Sequence, residues 1–110
     1  MSVDTAGLKG KESMEEEKAK ILGETAQIPW KDLQPWFAKG AVVNVSPELN
    51  LVDVAYALSI DDKERFERWT DENTVGAVTD AQALEWFDSN ASLWAVVVRP
   101  WILVQVPAVE

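Results

Sequence analysis

The run from Leu93 to Val106 constrains the fold of this chain more than any other segment. It holds Trp94, Trp101 and an almost unbroken series of valine, isoleucine and leucine, interrupted only by Arg99-Pro100. β-Branched and aromatic side chains favour strand, and a continuous apolar run marks a buried one. The chain is therefore expected to close on a buried principal strand. Pro100 has no N–H to give to a ladder, so that strand must be an edge, bulged or broken there. The run is shorter than the roughly 20 apolar residues of a membrane span and carries Arg99. Met1 to Ser13 lack the apolar core of a signal peptide. The expectation is a soluble cytoplasmic protein with no membrane contact.

At 110 residues the chain suits one α+β domain, with residues 1–12 as a polar, glycine-containing tail and 13–110 folded. Six tryptophans could anchor much of its core, four buried and one or two half-exposed. The net charge of −9 opposes contact with phosphate backbones. It suits solubility first and a basic partner second. The chain has no cysteine and no histidine. Disulfides, thiolate catalysis and zinc–cysteine sites are excluded, together with the commonest general base and metal ligand. No cofactor, metal site or catalytic group is expected.

Four or five helices follow from apolar spacing and capping signals. Ser13 with Glu16 has capping-box spacing, and a helix is expected from Met14 to Ile28, ended by Pro29. Leu33, Trp36 and Phe37 mark a second helix between Trp30 and Lys39, kinked or restarted at Pro35 and stopped by Gly40. Ala41 to Val45 reads as a short strand. Ser46-Pro47-Glu48 reads as the next helix start, with Leu51, Val54, Ala55 and Leu58 on its inner face. A hairpin over the same residues is the rival reading, since Val52, Val54, Tyr56 and Leu58 also alternate. Asp61 with Glu64 starts a helix to about Glu72, with Phe66 and Trp69 inward. Thr74 to Val78 is a short strand. Thr79 with Gln82 caps a last helix, which Asn90 ends. The sheet is expected to be small and mainly antiparallel.

No cluster carries a reaction. Asp61-Asp62, near Asp53 and Glu64, make a poor acid pair, because adjacent residues on a helix point apart. There is no G-x-S-x-G, and the five glycines form no phosphate loop. Residues 51–69 have a helix-turn-helix-like pattern. However, Asp61 to Glu72 sets six acids against Lys63, Arg65 and Arg68, the wrong chemistry for a DNA reader. Arg99, Pro100 and Trp101 form a candidate interaction surface, with Arg99 a candidate anion hook or cation–π partner of Trp94 or Trp101. Asp53, Tyr56 and Trp69 form a candidate pocket.

Four stretches resemble an uncharacterised bacterial family, domain of unknown function 2288. They are Glu24 to Trp30 with Leu33, Val45 to Ala55, Asp61-Asp62 followed by Trp69, and Leu93 to Gln105. The resemblance covers roughly residues 20–106 and implies a small cytoplasmic protein. It brings no activity, cofactor or catalytic residue. Pro35 and Arg99 depart from the pattern, which usually has a helix-compatible residue at the first place and a small residue or glutamine at the second. The leading expectation is a non-enzymatic protein-interaction module, either binding a protein partner or forming a homodimer. The alternative is a small-molecule-binding protein or small enzyme working with carboxylates and Tyr56. The third reading is a helix-turn-helix-like nucleic-acid binder, which the acidity disfavours.

Overall fold

The computed structural model describes residues 14–107. The expected tail over residues 1–12 and the Ser13 cap lie outside the described residues. Helix α1 covers residues 14–24. Then come β1 (Ala26–Pro29), α2 (Trp30–Ala38), β2 (Val42–Val45), α3 (Leu51–Ser59) and α4 (Lys63–Asp71). The chain continues with β3 (Val75–Ala77), α5 (Asp80–Asp88), β4 (Ser92–Val98) and β5 (Trp101–Gln105). No helix among the described residues is long and apolar enough to cross a membrane.

The five strands form one sheet in the order β1-β4-β5-β2-β3. The sheet is mixed, where a mainly antiparallel one was expected. β2 runs parallel to β5, with Val42 opposite Ile102 and Asn44 opposite Val104. The long connection between those strands permits a parallel pairing that local pattern cannot announce. The closing segment is not one strand. It breaks at Arg99-Pro100 into a hairpin, with Val98 opposite Trp101 and Ala95 opposite Val104. Both arms are interior strands, so of the outcomes expected at Pro100 the break holds and the edge does not. The edges are β1 and β3.

Helices cover both faces of the sheet, and this explains the apolar run. Along β5, Ile102 and Val104 join Trp30, Leu33 and Trp86 of α2 and α5 in one core. Leu103 joins Ile21, Leu51, Val54 and Ala55 of α1 and α3 in the other. A strand buried on both faces reads as continuous hydrophobicity, without alternation. Among the described residues no polar or charged residue is fully buried.

Several boundaries differ from expectation. The first helix ends at residue 24, and Ala26 and Ile28 pair as strand with Ala95 and Leu93. Pairing with a central strand overrides the helical period there. Helix α2 runs through Pro35 without a restart. Ser46 does not cap α3. Its Oγ accepts from the Glu48 N–H at 3.3 Å within a turn, and Asn50 caps the helix by accepting from Val52 and Asp53. The helical alternative for residues 51–58 holds. Asp62, not Asp61, caps α4, accepting from the Arg65 N–H at 3.3 Å. Asp61 instead closes α3 with a φ of 57°. The Thr79–Gln82 capping box forms as expected. The tryptophans are more exposed than expected: Trp30 and Trp86 are buried, whereas Trp36, Trp94 and Trp101 rank among the exposed large hydrophobics.

Candidate functional site

The pleat of β5 determines where Trp101 goes. Ile102 and Val104 face α2 and α5, so Trp101 and Leu103 face the α3–α4 side. Leu103 is covered there, whereas Trp101 stands at the hairpin end and stays 38% exposed. Its ring walls a groove of about 430 Å³ with Val43, Leu58, Phe66, Thr70 and Ala77. Asp62 fixes the start of α4, and Phe66 meets Trp69 edge to face at 5.8 Å. A second cavity of about 350 Å³ lies against α3 and α4. It shares Leu58, Phe66 and Thr70 with the first, so the two cavities adjoin across these side chains. Asp61, Asp62, Glu67 and Asp71 rim the second part, with Lys63 among them.

Of the three hairpin residues singled out from sequence, only Trp101 lines the groove. Arg99 and Pro100 form the exposed turn beside it. Among the described residues Arg99 makes no ion pair and lies over no ring, so it does not reach Trp94 or Trp101 as a cation–π partner.

Asp53, Tyr56 and Trp69 are placed differently. Lys18 of α1 joins the first two, with its Nζ 3.2 Å from Asp53 and 5.5 Å from the Tyr56 ring centre. Trp69 belongs to α4, packed on Phe66 with the Arg65 guanidinium 5.1 Å from its ring. None of the three lines either part of the groove. Among the described residues no three carboxylates come together closely enough to hold a metal ion.

The groove itself escaped the sequence reading, which counted Phe66 simply as core. A signal was present. Phe66 and Trp69 are the only large apolar residues of α4, too few for one helix to seal its side of a sheet.

No curated protein matches this chain. The NMR solution structure of PA1075 from Pseudomonas aeruginosa has a similar fold, with 44% sequence identity and a TM-score of 0.75. The match covers 83% of this chain and 84% of that one. A family model spans residues 16–106, from α1 to the end of β5, and therefore takes in both cores and the Trp101 groove. On that match the chain belongs to the family described as "Protein of unknown function (DUF2288)".

Proposed function

We propose that this protein is a non-enzymatic protein-interaction module that receives its partner at the hairpin end of the sheet. One observation carries the reading: the apolar groove of about 430 Å³ walled by Trp101 and Phe66. Tryptophan half-exposed beside an apolar hollow is the usual anchor of a protein interface. The only titratable groups lining the two cavities are the rim carboxylates and Lys63. That inventory suits recognition better than acid–base chemistry. The reading takes the chain as a bacterial cytoplasmic protein, in keeping with its lack of cysteine.

Nucleic-acid binding is the weaker reading. Helices α3 and α4 do pack in succession across a short turn, as a helix-turn-helix would. Yet the carboxylates of Glu67 and Asp71 line the groove beside α4, where a phosphate backbone would be repelled.

A photo-crosslinking amino acid at position 101, compared in cells with one at the exposed Leu84 of α5, tests the proposal. Adducts of one discrete size are expected from position 101 alone. No adduct, or the same adducts from both positions, overturns it.

A further inference from the structure

We infer that the occupant of the groove is a cationic amphipathic helix of a partner protein, an assignment that rests on the interaction-module reading above. The two adjoining cavities are lined mainly by apolar surface. Leu58, Phe66 and Thr70 belong to both cavities, so the strip runs from Trp101 to the turn between α3 and α4. The rim is acidic. Asp61, Asp62, Glu67 and Asp71 line the second cavity against one ammonium group, that of Lys63, which lies 3.9 Å from Asp61.

Helix α4 sets two acids and one base, Lys63, on its groove side. Glu67 and Asp71 share the groove side with Phe66 and Thr70. At 100° per residue Arg65 and Arg68 fall on the flank away from it, and Arg65 lies over Trp69. Asp71 stands in the last turn of α4, where the helix dipole disfavours a carboxylate. Helix stability therefore does not account for an acid at that place, and a cationic ligand in the groove would meet it.

The competing occupants fit less well. An added strand would need the open edge of β3. The Ser46 N–H bonds the Thr74 carbonyl, which makes Asn44 and Gly76 the hydrogen-bonded pair. The backbone groups of Val75 and Ala77 then point away from β2. Val75 is buried, so only Ala77 is open to a new strand. A second copy of this chain seated on the groove would bring two acidic rims together. A helix laid along the strip needs neither an open edge nor an acidic neighbour. Its apolar face would take the floor at i, i+3 and i+7, and lysine or arginine on its flank would meet the rim.

The test uses a 14-residue synthetic peptide as probe, with leucine on one helical face, lysine on the flanks and alanine elsewhere. It is titrated into the isotope-labelled full chain and followed by NMR. Shifts at the Phe66, Thr70 and Gly76 amides are expected, weakening as salt is raised. The double variant Glu67→Lys with Asp71→Lys should bind about tenfold more weakly, because the rim charge is reversed. Glu85→Lys with Asp88→Lys makes the same change of charge on α5, across the sheet, and should stay within about twofold. Equal loss in both variants overturns the inference, since the peptide would then be reading total charge. Shifts at Phe66 on concentrating the chain alone overturn it in favour of a second copy. If the peptide does not bind while position 101 crosslinks a partner, the helix assignment falls and the interaction module stands. If crosslinking also fails, both fall.

Discussion

Four helices end the same way at single residues. Gly40, Asp61, Asn73 and Asn90 all adopt positive φ, between 54° and 73°. After each, the following N–H reaches back to a carbonyl of the last turn: Ala41 to Trp36 at 3.0 Å, Asp62 to Ala57, Thr74 to Trp69 and Ala91 to Trp86 at 2.9 Å. This is the Schellman closure, which satisfies carbonyls the helix leaves over. Glycine meets the left-handed conformation freely, and asparagine and aspartate meet it at lower cost than other residues. Asn90→Gly should therefore raise stability by about 0.5 kcal/mol, and Asn90→Ala should lower it by about 1 kcal/mol. Urea unfolding checks the order, and an alanine variant as stable as the parent would contradict it. Gly40 and Asn90 were legible as stops. Asp61 was not, because an acid before a helix looks like a cap whether it ends one helix or starts the next. Only the geometry separates Asp61 from Asp62.

At the scale of elements, the two sheet edges are protected by different means. On β1 the Trp30 N–H bonds the Ala91 carbonyl, so Gln27 and Pro29 turn their backbone groups outward. Pro29 has no N–H to offer a foreign strand. On β3 the strand is three residues long and its first residue is covered. Helix α2 shows a local conflict that its packing overrides. Pro35 sits inside it and denies a hydrogen bond to the Lys31 carbonyl, yet Trp30 and Leu33 are buried and hold the helix in place. Pro35→Ala should restore that bond and raise stability by about 1–3 kcal/mol. A thermal melt checks it, and an unchanged midpoint would mean that α2 already relaxes around the proline. Existence and type were readable for α2, α4, α5, β2 and β3 from period and caps, whereas α3 competed with a hairpin over the same residues until its packing and the Asn50 cap decided it. The strand β1 was not, because Ala26 to Pro29 carry a helical-looking pattern and become strand only beside β4.

Across the whole molecule, 19 acids face 10 bases. Among the described residues only two ion pairs form, Lys18–Asp53 and Lys63–Asp61, neither of them buried. Such pairs contribute little, so the net charge acts chiefly as self-repulsion. Raising sodium chloride from 10 to 150 mM should increase stability by about 0.5 kcal/mol, seen by calorimetry as a rise of roughly 2–4 °C. A falling midpoint would show attraction dominating instead. The sequence by itself determined the chemistry: an acidic α+β chain without cysteine or histidine, with a buried apolar run from Leu93 to Val106. Burial on two faces leaves a hydrophobic stretch that no arrangement of neighbours can disguise. The tertiary structure alone decided the pairing of β2 beside β5, the interior place of the closing hairpin, and the groove where Trp101 meets Phe66. Those depend on contacts between residues far apart in the chain, and local pattern carries no record of which distant strand or helix arrives alongside.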